Sequence, residues 1–151
     1  MKSVFNPADV KELISRFDKL SPDSTPHWGK MSVSKMLAHC NVSYEMVYEE
    51  GKHPKPKGFM KFILKVLVKN KVVGPQPYKK NNPTAPAFII KEEKDFEAEK
   101  ARLLGYLDKT LQLGEAHFDG KESHSFGVLT VGEWNTMFYK HLNHHLSQFG
   151  V

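Results

Sequence analysis

Apolar residues in this chain recur at three and four positions almost everywhere, and proline or glycine closes each run. Val10, Leu13, Ile14, Phe17 and Leu20 form the first stripe. Asn6-Pro7 supplies its start, a capping residue followed by proline at the first helical position, and Ser21-Pro22 its end. A second helix is predicted from about Ser32 to Gly51, with Val33, Met36, Leu37, Cys40, Tyr44 and Val47 on one stripe. A shorter, very apolar segment runs from about Phe59 to Val72. A long helix is predicted from about Lys91 to Leu113, stopping at Gly114. The last opens at Thr130, where Glu133 stands three residues on as a capping-box partner, and runs to about Phe149.

Between these stripes lie "GKHPKPKG" (51–58) and "GPQPYKKNNPTAP" (74–86). Proline and glycine at this density exclude helix and leave loop, with a short extended piece at "AFII". No alternating pattern marks a convincing strand. The expectation is therefore all-α: one domain over 1–151, an antiparallel four-helix bundle with one shorter extra helix and a long Pro-rich loop.

With 40% hydrophobic and 26% charged residues, the chain can bury a proper core. Its single cysteine, Cys40, excludes an intrachain disulfide. The start "MKSVFNPADVKELISRF" lacks the pattern of a signal peptide, and no apolar run is long enough to span a bilayer. The cytoplasm is the expected location. The net charge of +5 concentrates in "KHPKPKGFMKFILKVLVKNK" (52–71), read here as a solvated basic face. Neither nucleic-acid nor membrane binding is expected from it.

Histidine is the residue type with chemistry to offer. Three of the eight fall within "FYKHLNHHLSQFG" (138–150). At about 100° per residue, Trp134, Met137, Phe138, His141, His145 and Phe149 gather on one side, while Lys140 and Asn143 face away. Two imidazoles one turn apart on a buried stripe are costly unless satisfied. They can bond to backbone or water, or chelate one ion from a single helix. The zinc-protease signature is absent, because no glutamate follows the first histidine. Of the remaining histidines, His39 lies mid-helix beside the second stripe, near Ser43, where a side chain can meet a pair on a facing helix. Cys40 points into the apolar stripe and reads as a core thiol rather than a nucleophile.

"WGKMSVSKMLAHCNVSYEM" (28–46) and "SFGVLTVGEWNTMFYKHLNHHLSQFG" (125–150) together resemble the DinB/YfiT superfamily of metal-dependent helical bundles. The nearer likeness is to a branch with a W-x-x-M-S entry to the second helix and a KH-x-x-HH-x-x-QFG ending. The resemblance implies a divalent ion, nickel or zinc, held by His39, His141 and His145. It implies that His144 and Gln148 line the pocket or support the ligands from behind. It also implies a low-molecular-weight thiol such as bacillithiol, mycothiol or glutathione as cosubstrate, since other branches are thiol-dependent transferases.

Three neutral imidazoles leave an ion its full charge and at least one open position, the arrangement of a catalytic rather than a structural site. The expected activity is transfer of a small-molecule thiol to an electrophilic small-molecule substrate, with the loop 74–86 as lid. A homodimer is compatible with that activity. The alternative is a non-catalytic helical module that binds a small ligand or a metal.

Overall fold

A computed structural model describes all residues, Met1–Val151. Its elements are helices α1 (Pro7–Phe17), α2 (Val33–Tyr48), α3 (Gly58–Ile63), α4 (Lys69–Val73), α5 (Phe96–Phe118) and α6 (Val131–Gln148). A π turn, Leu64–Val68, joins α3 to α4, and a 3₁₀ turn, Pro86–Phe88, lies in the long connection after α4. Two short strands, β1 (Glu122–Ser123) and β2 (Gly127–Val128), pair antiparallel in a hairpin before α6. The chain is thus all-α apart from that hairpin, which no alternation in the sequence announces. No helix is long and apolar enough to cross a membrane.

The helix starts follow the capping residues. Asn6 Oδ1 accepts the Ala8 amide at 2.9 Å, and Asp95 Oδ1 accepts that of Ala98 at 2.7 Å. Thr130 and Glu133 close a reciprocal capping box at 3.3 and 2.9 Å. The ends depart more from expectation. The first helix stops at Phe17, short of Ser21. α5 begins at Phe96, with Asp95 as its cap, and is interrupted at the expected Gly114, whose φ of 67° and ψ of 178° are not helical; a short helical stretch then resumes to Phe118. At "AFII" a 3₁₀ turn replaces the expected extended piece.

α2 packs on α5, α6 and the 3₁₀ turn; α1 packs on α5 and α6. One apolar core fills the space between them, with Phe17, Met36, Tyr44, Leu107, Trp134 and Phe138 among its fully buried members. Tyr44 stacks on Phe138 with ring centres 4.6 Å apart, joining α2 to α6 at the core's centre. Truncating such a ring costs about 3–5 kcal/mol, so these contacts hold α2 and α6 in register. Cys40 lies in this core with no exposed surface, and burial pushes its thiol well above the usual range. It is a packing residue with no thiolate to offer.

Candidate metal centre

α2 and α6 face each other through polar side chains one turn from the aromatic core. His39 projects from α2, and His141 and His145 project one turn apart from α6. His39 and His145 are buried and His141 is partly so. Their ligand-capable nitrogens all lie within 4.8 Å of one another, a grouping that could hold a metal ion. The ring centres are 4.6–4.9 Å apart.

The outer nitrogens decide which atoms face the centre. His39 Nδ1 lies 2.9 Å from the carbonyl of Phe88, in the 3₁₀ turn. A carbonyl only accepts, so Nδ1 carries the proton and Nε2 is left bare. Gln148 Nε2 donates to the Trp28 carbonyl at 2.8 Å, which turns Oε1 toward His145 Nδ1, also at 2.8 Å. His145 is therefore protonated at Nδ1 and bare at Nε2. His141 Nδ1 meets Ser43 Oγ at 3.0 Å, while its Nε2 lies 2.9 Å from His39 Nε2. When Ser43 donates, His141 Nε2–H bonds to His39; when the hydroxyl turns and accepts, a third bare nitrogen faces the centre.

Either way the lone pairs outnumber the protons between them. His141 brings at most one N–H, and two bare acceptors compete for it. A cation satisfies all three at once, with outer partners that fix each ring, as metal-bound histidines require. At ~2.0–2.2 Å per metal–nitrogen bond, 2.9 Å is a reachable separation for two ligands of one ion. Three imidazole donors so placed could hold a metal ion once the most distant pair, within 4.8 Å, draws slightly closer.

Electrostatics agree. Burial, then the neighbouring imidazoles, pull His141 well below the usual histidine range. Burial pushes His145 down to about 3, and it lowers His39 despite the Phe88 carbonyl. All three rings are neutral at pH 7, so an incoming cation displaces no proton.

The surroundings combine expected and unexpected residues. Gln148 takes the supporting position behind His145. His144 is partly exposed, with Tyr78 edge-on at 5.6 Å and Trp28 at 5.9 Å, so it lines the site's margin. Ser43, the Phe88 carbonyl and the Trp28 carbonyl are partners of this cluster that the sequence did not assign. Ser43 had a signal, since it stands four residues after His39 on the same face. The two carbonyls had none, because backbone acceptors leave no mark in a sequence. Gly29 keeps its φ of 82° beside them, and a Cβ there would come within 2.8 Å of Gln148 Nε2.

One orientation needs correcting. Lys140, expected to face away, is buried; its Nζ donates to the carbonyls of Lys71, Gly74 and Gln76 at 2.9, 2.6 and 3.2 Å. The wheel treats α6 as having one wet side, but the start of the connection after α4 covers it. The same connection carries Tyr78 to the margin of the site, edge-on to His141 at 6.4 Å.

A cavity of about 310 Å³ opens beside His39, lined by Met31, Phe88, Ile89, Ile90, Lys30 and Lys35 among others. A larger one, about 470 Å³, is lined by none of the three histidines. Of the four remaining histidines, His27 sits at the end of α6, its amide donating to the Gln148 carbonyl at 2.7 Å, and the other three lie elsewhere. His53 bonds to Glu45 at 2.8 Å, His124 to Ser125 at 2.8 Å, and His117 to Lys121 at 2.6 Å.

A family model described as protein of unknown function matches residues 4–150. The chain belongs to the DUF1569 family. The match includes α2, α6 and the 3₁₀ turn, so every DUF1569 residue that positions the three histidines falls inside it. No curated protein matches the chain. No solved structure matches it either.

Proposed function

We propose that this DUF1569 chain is a divalent-metal-dependent enzyme built on a DinB/YfiT-like antiparallel four-helix bundle of α1, α2, α5 and α6. Its most plausible reaction is transfer of a small-molecule thiol to an electrophilic carbon. The observation that carries the proposal is the imidazole triad whose inner nitrogens lie within 4.8 Å of one another while every outer nitrogen is bonded. No carboxylate or thiol of the chain joins the triad, so the protein side of the ligand set stops at three. When bound, zinc or nickel would supply a Lewis acid with coordination free for a thiol or water, lowering that ligand's pKa.

The chain's own residues do the rest. Phe88, Ser43 and Gln148 hold the imidazole planes, so the rings keep their orientation while the Ser43 hydroxyl turns to accept from His141 Nδ1 and frees its Nε2 for a ligand. Met31, Phe88 and Ile90 give the adjoining cavity an apolar wall that excludes water from a reacting sulfur. Lys30 and Lys35 stand on the same cavity, suited to an anionic group on thiol or substrate. In the net reaction a carbon–sulfur bond forms, the bond to the leaving group breaks, and the thiol proton departs with that group.

The test has two arms. Titration of metal-free protein with zinc and nickel should show one site per chain, lost in His141→Ala. Bacillithiol, mycothiol, glutathione and coenzyme A are then screened against model electrophiles, with and without metal. Turnover with one thiol, abolished in His141→Ala, supports the enzyme. If metal binds nowhere while a small apolar ligand raises the melting temperature, the chain is a non-catalytic binding module. The direct His141–His39 hydrogen bond available without metal is the observation that favours that second reading.

A further inference from the structure

The segment from α3 to α4 is turned the wrong way round for a helix that covers a core. Phe59, Met60, Phe62, Val66 and Leu67 point to solvent, exposed by 76, 56, 61, 52 and 63%. Its lysines, by contrast, tether it to the body: Lys61 pairs with Glu122 at 3.0 Å and Lys69 with Glu133 at 2.7 Å. Spacings of three, four and seven place Phe59, Phe62 and Val66 along one outer stripe, with Leu67 next to Val66. The rings of Phe59 and Phe62 stack with centres 6.5 Å apart. A contiguous apolar stripe of this kind on a surface marks a docking site.

Charge identifies what docks. Residues 51–91 contain ten lysines and no aspartate or glutamate, whereas acids outnumber bases in the rest of the chain. Lys55, Lys57, Lys65 and Lys71 form no ion pair. A second copy of this surface would bring like charges together around the apolar stripe. A nucleic acid would satisfy the lysines but leave Met60, Val66 and Leu67 against water, since these side chains neither stack nor read base edges. An anionic bilayer satisfies both sets.

We propose that the α3–α4 segment docks in the interface of a membrane rich in anionic phospholipid. Phe59, Met60, Phe62, Val66 and Leu67 enter the acyl boundary while the free lysines remain among the headgroups. Side-chain placement is what changes the reading of 52–71 from a solvated basic face to a membrane surface. The segment's far end is anchored to the body by Lys140, whose Nζ donates to the carbonyls of Lys71 and Gly74. The docking stands independently of any metal or activity.

Sedimentation with phosphatidylcholine vesicles, with and without about one third phosphatidylglycerol, tests it. The full chain should sediment with the anionic vesicles, and partitioning should fall ~tenfold or more between about 50 and about 500 mM salt. Phe62→Ser with Leu67→Ser keeps the charge and should lower partitioning ~tenfold at low salt. Lys57→Gln with Lys65→Gln should weaken binding to anionic vesicles only. All four side chains are on the surface, so circular dichroism should be unchanged. Absence of vesicle binding, or equal binding without phosphatidylglycerol, overturns the proposal. A dimer in solution that the serine variant dissociates, with no vesicle binding, assigns the stripe to a second copy. Single-stranded DNA binding that the serine variant leaves intact, without vesicle binding, assigns the lysines to a polymer.

Discussion

Helix α2 carries a polar cluster on each of two sides, and they differ in whether their members satisfy one another. On one side, Asn41 and Glu45 meet α5. Glu45 accepts from Arg102, from Lys52 at 2.9 Å and from His53 at 2.8 Å, and Glu99 accepts from Arg102 at 2.8 Å and from Asn41 at 2.7 Å. Tyr106 adds a bond to Glu49. Every charge there has an opposite within reach. On the other side, His39 and Ser43 meet α6, and the outer nitrogens are bonded while the inner lone pairs face each other. The first cluster pairs its charges and leaves only the Asn41 amide oxygen without a partner, whereas the second sets neutral imidazole nitrogens against one another. Lone pairs that face one another are costly when buried, and a cation at the second cluster, as proposed above, would relieve that cost.

Five measurements can break or sharpen that contrast. The largest effect is expected for His141→Ala, which should lower zinc or nickel affinity by more than the ~10–100-fold typical of an outer contact. Its urea midpoint should hold or rise. Calorimetric titration beside urea unfolding checks both, and a lost fold with retained metal affinity would reverse the assignment.

Arg102→Met does the opposite. It strips Glu45 and Glu99 of a shared partner and should cost about 1–3 kcal/mol in urea unfolding, discounted because the guanidinium is partly exposed. Metal affinity should not move. Gln148→Leu removes the acceptor behind His145 and should lower metal affinity ~tenfold, with the three ligands still in place.

Acid separates the clusters by pH window. Burial works against the Glu45 charge, but hydrogen bonds from Lys52, His53 and Arg102 outweigh it and hold the carboxyl down to about 2. Its folded pKa lies below its unfolded one, so the stability it contributes is present above about pH 4.5 and is lost as pH falls toward 2. That loss should be about 1–2 kcal/mol after allowing for solvent screening. His145, pushed by burial from 6.5 to about 3, makes the metal-free fold less stable earlier, from pH 6.5 downward. His145→Gln should flatten the upper window and Arg102→Met the lower one in acid unfolding followed by circular dichroism. Cys40→Ala, which belongs to neither cluster, should cost only about 1 kcal/mol and leave metal affinity intact.

How legible each part was follows from the reach of the interaction behind it. The caps at Asn6 and Thr130 were readable because their partners lie within three residues. His141 and His145 were readable as a pair because one helix sets their spacing. The stop at Gly114 was readable because glycine takes the left-handed conformation freely, but the short helical stretch that resumes to Phe118 was not. The α3–α4 stripe showed helical spacing, but spacing is the same for a stripe facing a core and one facing solvent.

The sequence by itself determined the helices, the capped starts at Asn6, Ser32 and Thr130, the spacing of the apolar stripes and the two imidazoles that share one turn of α6. These depend on rotation per residue and on bonds spanning a few positions, which any helix of this sequence would repeat. Only the tertiary structure decided that His39 Nε2 lies 2.9 Å from His141, that Phe88 and Trp28 turn their carbonyls toward the site, and that Lys140 is covered. Each of those facts joins residues far apart in the chain. Backbone acceptors have no residue type to betray them, and protonation at Nδ1 or Nε2 is chosen by whichever acceptor the packing of α2, α6 and the loops brings alongside.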